Sequence, residues 1–252
     1  MLLVEGVDKR FAGLTAVAGV GFAVARGEVV SIIGPNGAGK TSVFNMITGF
    51  YAADAGSIRF QDTELRHLAP HEIARLGIAR TFQNLEVFGD MSVRGNMEVA
   101  CQCRSPVGLW QVLGRTRGVC RREGEEAARI AELITTVGLG HKLDLQASQL
   151  SYGEQRRLEI ARALATGATL LLLDEPTAGM SPTEVEDILA LIGLLHQRGV
   201  TIVMIEHNMG LVMRVSDRVV VLDHGVKIAE GSPAAIQGDP RVREAYLGEG
   251  ME

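Results

Sequence analysis

Apolar positions along this chain follow two periods, and the exchange between them sketches the fold. Val20-Gly21-Phe22-Ala23-Val24 alternates, the two-residue period of a half-buried strand, and the first 30 residues read as β structure. After a Gly27-Glu28 turn, Val29-Val30-Ser31-Ile32-Ile33 is a short β-branched run, as in a strand buried on both faces. It leads straight into a glycine-rich loop and then a helix to Ile47, closed by Gly49. Ser57–Phe60 and Ile78–Phe82 read as strands, and residues 71–76 as one or two helical turns.

From residue 151 the alternation of helix and strand is regular. Ser151 and Glu154 stand at capping-box spacing and open a helix to about Ala165. Thr169–Leu173 is a buried strand. Ser181-Pro182-Thr183-Glu184 is a second capping box with Pro at the first helical position; Val185, Ile188, Leu189, Ile192 and Leu195 then share one helix face. Val200–Ile205 and Arg218–Leu222 are further strands, and His224-Gly225 is a hairpin turn. Strands alternating with helices predict an α/β domain built on a largely parallel sheet covered on both faces. Residues 84 to about 150 differ: they are more polar, read as helical and carry Arg104, Arg115, Arg117, Arg121 and Arg122, which marks them as an inserted lobe.

Composition narrows the class. A length of 252 residues suits one large domain, or one with an inserted lobe. The net charge of −5 gives no reason to expect a nucleic-acid binder. No apolar run is long enough to span a bilayer, and the opening residues have no basic segment before an apolar one, so no signal peptide is expected. Cys101, Cys103 and Cys120 lack zinc-site spacing and a fourth ligand, and read as reduced thiols.

The chemistry begins at Gly34-Pro35-Asn36-Gly37-Ala38-Gly39-Lys40-Thr41, a G-x-x-x-x-G-K-[ST] motif set between a buried strand and a helix. Phosphates need many donors at short range. Glycines let successive backbone N–H groups converge on the anion, and the helix adds its positive N-terminal end. Lys40 reaches the terminal phosphates as a point charge, and Thr41 offers a hydroxyl to Mg²⁺. Leu170-Leu171-Leu172-Leu173-Asp174-Glu175 ends a buried strand in two carboxylates. Asp174 is the candidate Mg²⁺ partner, and Glu175 is placed to polarise a water for attack on the γ-phosphate.

Leu150-Ser151-Tyr152-Gly153-Glu154-Gln155 sets this chain apart from other phosphate-loop enzymes. It resembles the signature sequence of ABC ATPases, usually Leu-Ser-Gly-Gly-Gln. Gln83, in Arg80-Thr81-Phe82-Gln83-Asn84, falls where that family has its Q-loop glutamine. His207 falls at its switch histidine, and Phe11 at an aromatic that stacks on adenine. The resemblance is nearest to the ATP-binding subunits of branched-chain amino acid uptake systems, on residues 80–84, residues 151–162 and the tail Arg243-Glu244-Ala245-Tyr246-Leu247-Gly248-Glu249. Tyr152 and Glu154 replace the commoner Gly and Gln. Ser181 stands where many members have an Asp, and Asn208 where an Asp commonly follows the histidine.

The resemblance implies a phosphate-loop fold of the ABC ATPase type. Its core and antiparallel β part would span 1–83 and 157–252, with a helical subdomain over 84–156. It implies ATP and Mg²⁺ as cofactors. Residues 34–42, including Ser42, would hold nucleotide, and Thr41, Gln83 and Asp174 the metal. Glu175, His207, Gln83 and Lys40 would be catalytic, and Ser151, Tyr152, Gly153 and Glu154 would cover ATP bound by a second, identical or related subunit. The expected partners are that subunit, an integral-membrane permease and, indirectly, a substrate-binding protein. The chain would sit on the cytoplasmic face of the inner membrane, peripheral through the permease. Lipid or lipopolysaccharide export, or a permease-free ABC ATPase, would use the same chemistry. A phosphotransferase using the phosphate loop alone would leave the signature, Gln83 and His207 without a role.

Overall fold

The computed structural model describes residues 1–102 and 117–247, by backbone alone at 117–123 and 247. The strands are β1 (Leu2–Phe11), β2 (Leu14–Val24), β3 (Val29–Ile33), β4 (Ala55–Phe60), β5 (Thr63–Glu64), β6 (Ile78–Arg80), β7 (Leu170–Asp174), β8 (Thr201–Ile205), β9 (Arg218–Asp223) and β10 (Val226–Gly231). The α-helices are α1 (Lys40–Ile47), α2 (Pro70–Leu76), α3 (Val93–Gln102), α4 (Arg117–Thr136), α5 (Tyr152–Ala165), α6 (Pro182–Gln197), α7 (Met209–Val215), α8 (Pro233–Gly238) and α9 (Pro240–Leu247).

Two sheets result. One is antiparallel, in the order β2-β1-β4-β5. The other runs β10-β9-β3-β8-β7-β6, parallel throughout except for the β9–β10 hairpin. Side-chain alternation sorts the parallel strands between two cores. Leu171, Leu173, Ile202 and Met204 pack on one face with α3, α5 and α6. Leu170, Leu172, Val203 and Ile205 pack on the other with α1 and the antiparallel sheet. Hence β3, β7 and β8 are predominantly apolar on both faces, and every residue in them is buried. Because these strands are parallel neighbours, their carboxyl ends share one edge of the sheet, where open α/β folds bind ligands.

The structure corrects some expected boundaries. The strand read through Phe82 ends at Arg80. Thr81 N still donates to Leu172 O at 2.9 Å, but the peptide groups of Phe82 turn to side chains of α5. Residues 84–150 are not helical throughout. The stretch 84–92 is irregular, held by the buried Asn96, whose side chain accepts from Phe88 N and donates to the carbonyls of Phe88 and Ser92. Two 3-10 turns, Gly140–Lys142 and Ala147–Gln149, precede α5, which runs unbroken from Tyr152 to Ala165. The short strand β5 and the helices α7, α8 and α9 had no counterpart in the sequence reading, whereas the hairpin turn expected at His224-Gly225 joins β9 to β10. Cys101 is buried among apolar residues of α3 and α5. Cys103, Arg104, Arg115 and the side chains of Arg117, Cys120, Arg121 and Arg122 lie outside the described residues.

Candidate functional site

The loop between β3 and α1 is fixed by glycines that no other residue can replace. Gly34 has φ +146°, and a Cβ there would lie 2.0 Å from Leu222 O. Gly39, the N-cap of α1, has φ +94°, and its Cβ would meet Ala16 O at 2.4 Å. No acidic residue sits in the first turn of α1, so its positive end is left to attract an anion. The buried Lys40 folds its ammonium back over the loop, donating to Gly34 O and Pro35 O at 2.7 Å each.

A cleft of about 340 Å³ opens above this loop. Asn36 through Ser42 line it, with Glu175 and His207 from the ends of β7 and β8. Leu14, Thr15, Ala16 and His224 complete the wall. Phe11 is not among the lining residues; it pairs with Leu14 across the β1–β2 turn and packs edge-on against Tyr51, ring centroids 5.1 Å apart. Leu14, at 71% exposure, was missed by sequence reading. Its signal was its place opposite Phe11 in the hairpin.

Strand order brings three expected residues together. Glu175 carries a left-handed backbone, φ +47°, held by its N–H donating to Ile205 O at 3.0 Å. Such a conformation in a non-glycine residue costs ~1–3 kcal/mol and clusters at functional sites. Gln83 Nε2 donates to Glu175 Oε2 at 3.0 Å, and His207 Nε2 lies 3.0 Å from Glu175 Oε1. Facing a carboxylate, that imidazole nitrogen carries the proton.

Asp174 Oδ2 instead accepts from Arg80 Nη2 at 2.7 Å, with both side chains buried. Arg80 also donates to Asn45 Oδ1 at 2.7 Å and stands 5.1 to 5.9 Å from the ring centroids of Phe44, Phe50 and Phe82. Glu206, buried beside His207, accepts from Thr177 N and Oγ1 and from His207 N and Asn208 N. It ties the loop after Glu175 to the loop that carries the histidine. Sequence reading missed the roles of both Arg80 and Glu206.

Ser151, Tyr152, Gly153 and Glu154 do not line this cleft. Ser151 caps α5, its Oγ accepting from Glu154 N. Gly153 N donates to Glu184 Oε1 at 3.0 Å, and Ser151 Oγ lies 3.4 Å from the same oxygen. The donors at the start of α5 thus already hold one carboxylate. N–H and hydroxyl donation from Ser181, then the Gly153 N–H, draws the Glu184 carboxyl below the usual range. Partial burial works against the Glu154 charge, but Lys142 at 2.6 Å and the Ser151 N–H outweigh it and lower that carboxyl from its ordinary 4.5. A lowered folded-state value stabilises the fold above the unfolded pKa, and that contribution is lost as pH falls through the folded one. Lys142→Met is therefore expected to cost ~0.5–1 kcal/mol at pH 7. In denaturant titrations the deficit should close in acid, below 4.5.

Known proteins resemble this chain over nearly its whole length. Residues 17–178 match the family model described as ABC transporter, and residues 226–252 the one described as branched-chain amino acid ATP-binding cassette transporter. The high-affinity branched-chain amino acid transport ATP-binding protein LivG of Escherichia coli is 44% identical over 250 residues, covering 99% of this chain and 98% of that protein. The corresponding BraF of Pseudomonas aeruginosa matches to the same extent. Among solved structures, the ADP conformation of an ATP-binding cassette of an ABC transporter superposes with a TM-score of 0.85 at 32% identity, over 98% of each chain.

Proposed function

This chain belongs to the ABC transporter ATP-binding family, and from that membership we propose that it is the ATP-hydrolysing subunit powering uptake of branched-chain, hydrophobic amino acids. The Glu175 arrangement carries the reading: one carboxylate held between Gln83 and His207 at the edge of a phosphate-loop cleft. The 44% identity to the LivG and BraF proteins carries the substrate class.

ATP lies along residues 34–42, its phosphates against the loop N–H groups and the start of α1. Lys40 leaves Gly34 O and Pro35 O to reach the terminal phosphates. Leu14, paired with Phe11 across the hairpin turn, gives the adenine an apolar wall. Thr41, Asp174 and Gln83 supply hard oxygen donors of the kind Mg²⁺ takes beside phosphate oxygens. Arg80 engages only Oδ2 of Asp174, which leaves Oδ1 to offer an ion. Bound there, Mg²⁺ would neutralise charge that develops on the phosphates. Glu175 orients the attacking water, and His207 faces the γ-phosphate. Hydrolysis is then mostly positioning and electrostatics.

Each chain holds half of a site. Ser151, Tyr152, Gly153 and Glu154 cover ATP bound by a second subunit, once Ser151 Oγ and Gly153 N exchange the Glu184 carboxylate for phosphate. Ser181 caps α6, so no carboxylate reaches across from that position. Residues 84–156 form the helical subdomain and the rest the core. Among the described residues no helix is long and apolar enough to cross a membrane. By analogy with the transport ATP-binding relatives, a permease holds the chain at the inner face. A groove of about 420 Å³, walled by Phe50, Ile73, Phe82 and Phe88, takes a short helix of that permease.

Reconstitution tests the reading. With its permease and binding protein in vesicles, the chain should drive uptake of leucine, isoleucine and valine that depends on ATP. Turnover that answers to lipid and not to these amino acids would favour the export reading instead.

A further inference from the structure

We propose that the buried Arg156–Glu159 pair is a positioning clamp that links the signature segment to Gln83. Through it, the half-site a subunit lends to its partner is coupled to the site it keeps. The inference rests on the roles given above to Gln83 and Glu175.

Arg156 has no exposed surface and Glu159 only 5%. Two charges are thus taken out of water inside one helix. Burial pushes the Glu159 carboxyl up, against the pull of Arg156 and the Phe82 N–H. A pair of this kind is commonly replaceable by apolar side chains at no loss of stability. Its contacts show what it does instead. Arg156 Nη1 donates to Phe82 O at 2.5 Å and to Glu159 Oε2 at 2.7 Å, and Nη2 donates to Gln83 O at 2.8 Å. Glu159 Oε1 accepts from Phe82 N at 3.1 Å. Phe82 and Gln83 lie outside any strand or helix, so these peptide groups have no ladder to satisfy them, and the pair takes that place.

The far end of the clamp is the signature itself. Tyr152 lies one helical turn before Arg156, with its hydroxyl 3.4 Å from Nη2 and its ring 6.0 Å from the guanidinium carbon. One rigid helix therefore carries both the phosphate-facing residues 151–154 and the two side chains that grip residues 82 and 83. At the other end, the Gln83 amide holds Glu175 Oε2. A shift of α5 as its first turn takes up the partner's phosphate moves the Gln83 backbone, and with it the amide on the base. Coupling of this kind runs through contiguous contacts, and since neither Arg156 nor Glu159 lines the nucleotide cleft, it is expected to change rate more than affinity for the chain's own nucleotide.

A double-mutant cycle of Arg156→Met and Gln83→Ala, read as ATP turnover with purified protein, tests it. Arg156→Met alone should lower kcat roughly 2- to 30-fold, leaving KM for ATP within about twofold. In the Gln83→Ala background the same substitution should change kcat by less than about twofold, because the link is already cut. Arg156→Met/Glu159→Leu removes both charges. It leaves the Phe82 and Gln83 peptide groups to water, Gln83 being exposed and Phe82 half-buried. It should stay folded at the assay temperature and still show the kcat loss, which separates the clamp from a folding role. Equal losses in both backgrounds, or unaltered turnover in Arg156→Met/Glu159→Leu, would overturn the proposal. Unaltered turnover in Gln83→Ala would overturn it together with the role of Gln83, whereas Glu175 is judged separately by its own substitution.

Discussion

Glu175→Gln is expected to bind ATP with little change and to hydrolyse it ~10²–10⁴-fold more slowly, the usual cost of losing a general base. The substitution keeps shape and removes only basicity. The backbone at φ +47° stays held by the Glu175 N–H bond to Ile205 O. The new amide oxygen can accept from His207 Nε2, and Gln83 can turn its own amide to meet the new NH₂ group. Single-turnover measurements with Mg·ATP should therefore show normal binding followed by almost no phosphate release. Near-normal turnover would remove Glu175 from the chemistry and leave its unusual backbone without a function.

Arg80→Met is expected to have the largest effect on stability. Arg80 and Asp174 are 6% and 7% exposed and 2.7 Å apart. Removing one member of a buried pair strands the other charge, at ~3–5 kcal/mol. For a chain of this size each kcal/mol is worth ~2–4 °C, so calorimetry should show a fall on the order of 10 °C. Two further results identify the stranded carboxylate as the cause. Asp174→Asn in the same chain should recover much of the loss. Mg·ATP should also stabilise the Arg80→Met protein more than the unaltered one, because its cation replaces the missing charge. A melting temperature within about 2 °C of the unaltered protein would show that Asp174 does not depend on Arg80.

What the sequence disclosed follows from the range of the interactions involved. The phosphate loop, the Asp174-Glu175 strand end and both capping boxes are local: each needs residues only a few positions apart, so spacing alone reveals them. The parallel sheet was legible because β3, β7 and β8 are apolar on both faces. Strand order then put Gln83, Glu175 and His207 at one edge. The contacts that hold these groups span the chain and have no period. Arg80 meets Asp174 across 94 residues, Arg156 meets Phe82 and Gln83 across more than 70, and Glu206 meets Thr177 across 29. Arg156 entered the sequence reading only among residues 151–162, as part of the family resemblance. Its only local sign was Glu159, three residues on, in a helix where Leu158, Ile160 and Ala161 are buried. Leu14 stayed hidden because an apolar residue at a hairpin turn looks like an accident of the surface until the cleft is seen beside it.

The proposed half-sites need a second chain to close on ATP, and size-exclusion chromatography of Glu175→Gln with and without ATP and Mg²⁺ measures that directly. A dimer should form only with ATP and Mg²⁺, and Ser151→Arg should abolish it without abolishing nucleotide binding. A chain that binds ATP and stays single would make a sister subunit its partner. Failure to bind ATP, or a dimer indifferent both to ATP and to Ser151→Arg, would contradict the shared site.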